Sequence, residues 1–189
     1  IGAIAVAMNA LWQPEELAYG LSDSGAKVLL ADQERLDRLA KASPTPDVAV
    51  IAVRPTAPHP QDLEILLAGV GVVEMPAADV APTTSDDVAF WLYSSGSTGA
   101  PKGAIHLHAH LVQTAALYGR GVLGVREDDV VFSAAKLFFA YGLGNAMTFP
   151  LHVGATAVLM AERPTPSAVM RALERHKPTI FCGVPTLFA

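Results

Sequence analysis

Apolar runs of strand length, separated by segments with helical spacing, recur along this chain, and that alternation restricts the fold more than any other feature. "AIAVAM" (3–8) is the first run. Pro14 then opens a helix with Leu17, Leu21 and Ser24 on one face and Gly25 as its C-terminal stop. "KVLLA" (27–31) is the next strand, and Asp32 caps a helix through Ala40 whose apolar face is Leu36, Leu39 and Ala40. "VAVIAV" (48–53) is a third strand, residues 54–60 are a proline-rich loop, "QDLEILLA" (61–68) is a short helix and 76–87 is an irregular connector. In the second half, "VAFWLY" (88–93), "GAIHLH" (103–108), "DVVFSA" (129–134), "ATAVLM" (155–160) and "TIFCGV" (179–184) read as strands. A helical pattern carries Leu111, Ala115 and Tyr118 between His108 and Tyr118. Another starts at Thr165 and Pro166, continues through Val169, Leu173 and His176, and ends at Pro178. Short buried strands separated by helices predict an α/β fold with a mostly parallel sheet covered by helices on both faces. There is no internal repeat and no low-complexity tract.

The chain has 189 residues, of which 51% are hydrophobic and 16% charged. That is the composition of a folded interior, and the length suffices for one domain with a sizeable core. A net charge of −5 argues against a general nucleic-acid surface. The apolar stretches are interrupted by Pro, Gly or charge well before membrane-spanning length. The single cysteine, Cys182, allows no intrachain disulfide, reads as a buried small hydrophobe and fits a reducing, cytoplasmic setting. Ile1 is not a natural start, and both ends fall in mid-pattern, so the chain reads as a piece of something longer. A partial sheet of this kind would leave apolar edges uncovered.

One stretch fits neither a packed helix nor a packed strand. "YSSGSTGAPKG" (93–103) puts glycines, hydroxyls and a lysine directly after a strand, where α/β folds place ligands. Gly96, Gly99 and Gly103 let the backbone take positive φ and approach a ligand closely. Ser94, Ser95, Ser97 and Thr98 supply hydroxyl donors, successive N–H groups can form an anion nest, and Lys102 adds a mobile positive charge. Composition alone would fit a flexible surface turn; the ordered SSGSTG-x-PKG pattern favours a polyphosphate. It is not a Walker A loop, since Gly103 follows Lys102, and no Gly-x-Ser-x-Gly elbow occurs.

This loop resembles the phosphate-loop signature of the adenylate-forming, AMP-binding superfamily: acyl-CoA and aryl-CoA ligases, luciferases and peptide-synthetase adenylation domains. "MNALWQPEELAYGLSDSGAKVLLAD" is similar to the upstream segment of acyl-CoA ligases in general. "KLFFAYGLGNAMTFPLHVGATAVLM" and "ERPTPSAVMRALERHKPTIFCGVPTLFA" resemble most the benzoate-CoA ligase branch. The resemblance is weakest over 41–80. It implies that residues 1–189 are part of the large N-terminal AMP-binding domain, with the C-terminal domain absent. It further implies a two-step reaction using ATP, Mg2+ and coenzyme A. An aromatic carboxylate attacks the α-phosphorus of ATP, pyrophosphate leaves, and the CoA thiol then displaces AMP. Ser94, Ser95, Gly96, Ser97, Thr98, Gly99 and Lys102 match the phosphate loop residue by residue, with Thr98 and Lys102 in catalytic roles.

In the same family the segment "AKLFFAYGLGN" (135–145) carries acyl-pocket residues, which here are Phe139, Ala140, Tyr141 and Gly142. On residue type alone the aromatic cluster, Phe138 included, could be core, although small residues beside aromatics do make a flat apolar slot. Lys136 reads either as a carboxylate partner or as a solvated lysine. His106, His108 and His110 would share a face in a strand. No further ligand-spaced residue accompanies them, so no metal site is expected. The resemblance implies a structural or ATP-proximal role for His108 at a strand-to-helix junction; Leu107 stands where family members often have Thr. Pro185 and Thr186 match a strand-to-helix turn near the substrate cavity, though turn chemistry alone would explain them. The expected partners are the aromatic acid, ATP and CoA, without nucleic acid or membrane and with self-association left open. The family's acidic Mg-binding motif, ribose-binding aspartate, hinge and C-terminal lysine have no counterpart in the sequence, so residues 1–189 alone are expected to be inactive. The rival readings are a fatty acyl-CoA ligase, a peptide-synthetase adenylation domain, and a non-catalytic nucleotide-binding fragment.

Overall fold

The computed structural model describes residues 2–70, 80–94 and 99–188. It forms two compact units, one of Ile1–Thr83 with Tyr93–Gly103, the other of Thr84–Leu92 with Ala104–Ala189. The division passes through two strands, β4 (Val88–Ser94) and β5 (Lys102–Leu107), which are neighbours in a sheet. The 95–101 connection between them is too short for a parallel crossover, so this pair is antiparallel, unlike the other strand pairs described below.

In the first unit, β1 (Ala5–Ala7) leads to α1 (Pro14–Ser24). Proline fits the first turn because its missing N–H would have had no helical partner there. Gly25 closes the helix in the left-handed conformation, at φ 63°, and its N–H returns to Leu21 and Ser22 carbonyls. Strand β2 (Val28–Asp32) pairs in parallel with β3 (Ala49–Val53), Val28 opposite Ala49 and Asp32 opposite Val53. Asp32 caps α2 (Gln33–Leu39) by accepting from the Arg35 N–H. α3 (Leu63–Gly69) follows Asp62, which caps it in the same way. Among the described residues of this unit, Val28 and Leu30 of β2 are exposed and α3 buries no residue.

In the second unit, α4 (His108–Thr114) continues as a wider π-helical turn, Ala115–Arg120. β6 (Val130–Ser133) is the middle strand of a parallel sheet, with β7 (Thr156–Val158) on one side and β8 (Ile180–Cys182) on the other. Between β6 and β7 the chain is helical, through α5 (Ala140–Leu143), a second π-helical stretch, Gly144–Thr148, and α6 (Phe149–Val153). α7 (Pro166–His176) has Thr165 as its cap and Pro166 in its first turn, and Lys177 ends it in the left-handed conformation just before Pro178. α8 (Pro185–Phe188) follows β8. The core of this unit gathers on the middle strand. Phe132 is fully buried with Ala134, Val158 and Val169 around it, and Val131 packs with Val125 and Ala155 on the other face. Burying a phenylalanine side chain contributes about 1.5–3 kcal/mol. Leu173 and Leu187 pack on the Phe132 cluster, which sets α7 and α8 against the sheet.

Candidate functional site

Strand β4 delivers Ser94, which is exposed, from a firmly held base. The preceding residue, Tyr93, is buried. Its ring meets Trp12 edge-on, with centroids 5.3 Å apart, and its hydroxyl donates to Asp23 Oδ2 at 2.7 Å. Trp12 in turn lies against Gly20 of α1, where an added Cβ would come within 2.8 Å of the indole. Burial, reinforced by the Asp23 hydrogen bond and charge, pushes the Tyr93 phenol far above its ordinary range, so it remains a donor at physiological pH. The start of the glycine- and serine-rich loop is thereby fastened to α1. At its other end Lys102 is exposed as the first residue of β5. Gly103 lies inside that strand in extended backbone, so its place there does not depend on positive φ. Among the described residues, nothing lies within 4 Å of a Cβ placed on Gly99. The described ends of the loop thus present an exposed hydroxyl, Ser94, and an exposed ammonium, Lys102. Ser95, Gly96, Ser97 and Thr98 lie outside the described residues.

The second candidate region is the carboxyl edge of the β7–β6–β8 sheet, where parallel sheets bind ligands. The segment after β6 carries Phe139, Ala140 and Tyr141, all exposed at this edge although aromatic or small. Phe138 and Phe139 lean on each other, centroids 4.4 Å apart. The Tyr141 hydroxyl donates to the Gly183 carbonyl just after β8, at 3.3 Å. Burial pushes both the Tyr141 phenol and the Cys182 thiol up, so both are neutral at physiological pH. Gly142 is buried against the Lys136 and Ala135 carbonyls, and an added Cβ would overlap the Lys136 oxygen. It shapes the backbone of the segment and is not presented at the surface as Phe139, Ala140 and Tyr141 are.

Lys136 is neither a solvated lysine nor an available carboxylate partner. Its ammonium donates to the Met160, Ala161 and Glu162 carbonyls, the last two at 3.1 and 2.7 Å, so all three of its N–H groups are used. Desolvation lowers its pKa, and the nearby Glu162 charge opposes that shift. Asn145, buried in the π-helical stretch, donates to the Tyr141 carbonyl at 2.9 Å. The sequence reading did not single out Asn145. A lone polar residue in an apolar, glycine-rich run was the available signal, since buried amides need partners.

The three histidines do not lie along one strand, since His108 and His110 belong to α4, but the His110 ring meets His106 edge-on with centroids 5.6 Å apart. His106, in β5, stacks on Phe90 at 4.7 Å with nearly parallel planes, and burial followed by the His110 charge lowers its pKa. His108 begins α4 at the expected strand-to-helix junction, its N–H donating to the Asp87 carbonyl. His110 turns back to accept from the Leu107 N–H through Nδ1, at 3.2 Å. Among the described residues no three or more His, Cys, Asp or Glu side chains gather as a metal site would require. Pro185 and Thr186 open α8 directly after β8, as the sequence pattern predicts. A cavity of about 600 Å³, lined by residues including Arg120, Arg126, Glu127 and His152, contains none of the residues singled out from the sequence. Its lining precedes β6 and β7, at the amino edge of the sheet. Among the described residues no helix is long and apolar enough to cross a membrane.

A family model described as AMP-binding enzyme matches residues 1–189. The chain is 52% identical over its whole length to a benzoate–CoA ligase of Thauera aromatica, of which it covers 35%. It is 44% identical, again over its whole length, to a 4-hydroxybenzoate–CoA/benzoate–CoA ligase of Rhodopseudomonas palustris, of which it covers 34%. The solved structure of a benzoate CoA ligase from Burkholderia xenovorans LB400 matches 98% of this chain with a TM-score of 0.83 at 47% identity, and 35% of that chain is covered. An anthranilate CoA ligase, AuaEII, solved in complex with anthranoyl-AMP, matches 95% of the chain with a TM-score of 0.87 at 36% identity, again over 35% of its own length. The chain thus spans about a third of the length of the curated relatives it matches.

Proposed function

Because the chain belongs to the AMP-binding enzyme family, we propose that the complete protein activates a benzoate-type carboxylic acid with ATP and transfers the acyl group to coenzyme A. The observation that carries this reading is the exposed Phe139–Ala140–Tyr141 face at the carboxyl edge of a parallel sheet. Two aromatic rings flanking a small residue suit a flat apolar ring better than a flexible chain. The family membership and the benzoate- and anthranilate-ligase relatives favour the same substrate class.

In this reading the 94–102 loop holds the β- and γ-phosphates. Hydrogen bonds from Ser94, Ser95, Ser97 and Thr98, and the charge of Lys102, offset the repulsion between carboxylate and triphosphate and steady the leaving pyrophosphate. The Tyr93–Asp23 bond keeps the loop's first end from drifting. Phe139, Ala140 and Tyr141 receive the ring of the acid, while Gly142 lets the segment fold tightly behind them. Mg2+ enters with the phosphates, and the described residues assign it no ligand. A reducing, cytoplasmic setting belongs to the same reading, on the strength of the single buried thiol, Cys182.

The test is product formation by the complete protein. Benzoyl-CoA and AMP should appear only when benzoate, ATP and CoA are all present. ATP binding without acid-dependent turnover, or turnover without a thioester, would overturn the ligase reading.

A further inference from the structure

We propose that Lys136 is a positioning residue for the acid site: by tying the segment after β6 to the backbone after β7, it holds Phe139, Ala140 and Tyr141 where the acid binds. This rests on the reading that the segment receives the acid. Lys136 acts on the segment in two ways. Its side chain reaches across to the consecutive carbonyls of Met160, Ala161 and Glu162, which follow β7. Its own carbonyl accepts from the Phe139 N–H at 3.1 Å and lies directly against Gly142. One residue therefore connects the post-β7 backbone to both ends of the proposed acid-binding face.

The chemistry of the contact favours positioning over simple stabilisation. A half-buried ammonium satisfied only by carbonyl dipoles loses hydration that the dipoles replace in part, and its lowered pKa has that cause. An apolar side chain would fill the same place at less electrostatic cost, but would not fix three carbonyls around one point. The far side of the latch is also held, because the Glu162 carboxylate pairs with Arg171 of α7 at 3.0 Å. From the opposite strand end, the Tyr141 hydroxyl reaches the Gly183 carbonyl. The aromatic face is thus braced toward β7 by Lys136 and toward β8 by Tyr141. With all three donors engaged, Lys136 acts through the segment and does not contact the acid's carboxylate.

The experiment compares Lys136→Met and Lys136→Arg with the wild type in the complete protein, using whichever acid the wild type turns over best. The readouts are KM for the acid, KM for ATP and the thermal midpoint. Lys136→Met should raise the acid KM about 10- to 100-fold, the scale of a misplaced binding segment. KM for ATP should stay within about twofold. Lys136→Arg should fall between the two, since it keeps the charge but its planar fork cannot converge on three carbonyls. Should Lys136→Met fail to fold, Lys136→Arg carries the test alone through its acid KM. An unchanged acid KM, or acid and ATP KM values that rise together with a lowered thermal midpoint, would overturn the proposal. A wild type that prefers a fatty acid would remove the benzoate reading and leave this comparison intact.

Discussion

In the function proposed above, the 93–103 loop and the 135–145 segment would prepare for ligands in opposite ways. The loop offers the chain's own polar groups, and its described anchor is a single buried residue, Tyr93, bonded to Asp23 and packed on Trp12. The segment offers ring faces and is braced on both sides, by Lys136 to the residues after β7 and by Tyr141 to Gly183 after β8. Phosphate is recognised by donors that a backbone and a few hydroxyls can supply in any member of the family. An acid side chain is recognised by shape, and shape needs a braced wall. Changes in the loop should therefore be felt whatever acid is used, and changes in the segment should depend on the acid.

The largest effect is expected in the loop. Lys102→Ala and Thr98→Ala should each slow carboxylate-dependent ATP–pyrophosphate exchange about 100- to 1,000-fold in the complete protein, the range for losing one transition-state donor. The loss should be the same with every acid tried, with folding intact by circular dichroism. Normal exchange in both folded variants would remove the phosphate role. In the segment, Ala140→Leu should lower kcat/KM for the aromatic acid about tenfold or more, since a misfit of methylene scale in an apolar pocket costs about 1–3 kcal/mol. KM for ATP should not move. Equal losses for aromatic and aliphatic acids would erase the distinction between the two regions.

The same contrast explains what could be read from sequence. Asp32, Gly25 and the Thr165–Pro166 pair mark helix ends by local chemistry, and the helices begin and end where those residues predict. The loop stands out in the sequence because its polar residues form an ordered local run, although residues 95–98 lie outside the described structure. The helical course of 140–153 was not legible, because Gly142 and Gly144 are poor helix formers. What holds it is tertiary. Phe149 fills the notches left by Gly119 and Gly144, where an added Cβ would come within 2.8 and 2.7 Å of the ring. Those glycines fall in the two π-helical stretches, whose wider turns no periodicity of 3.6 residues could have signalled. Lys136 was misread for the same reason: its acceptors lie 24 to 26 residues away. Several strands are also shorter than their apolar runs. "ATAVLM" supplies only Thr156–Val158, and the Met160 and Ala161 carbonyls beyond it accept from Lys136.

Smaller effects separate anchoring from binding. Tyr93→Phe removes the hydroxyl and keeps the ring on Trp12, so it should cost about 1 kcal/mol of stability. Chemical denaturation of the two proteins measures that difference directly. A loss no larger than the error of the fit would mean that packing alone fastens the loop. The smallest effect concerns Asp129, which precedes β6, at the end of the strand opposite the acid segment. The Thr179 hydroxyl at 2.6 Å, followed by the Arg126 N–H, lowers its carboxyl pKa below the ordinary 3.8. A carboxyl depressed in the folded state contributes stability above its unfolded value and loses it as pH falls through the folded one. Asp129→Asn should therefore flatten the decline in thermal midpoint below about pH 4 and leave acid preference unchanged. An altered acid preference in Asp129→Asn would show that the amino edge of the sheet also shapes the site.

Acid preference is the most direct measurement of the aryl assignment. Thioester formation by the complete protein should be compared across benzoate, hydroxybenzoates, aminobenzoates, hexanoate and decanoate at fixed ATP and CoA. Benzoate or a small substituted benzoate should give the highest kcat/KM, with hexanoate and decanoate far below. A protein that prefers decanoate would contradict the assignment of Phe139, Ala140 and Tyr141 to an aryl pocket.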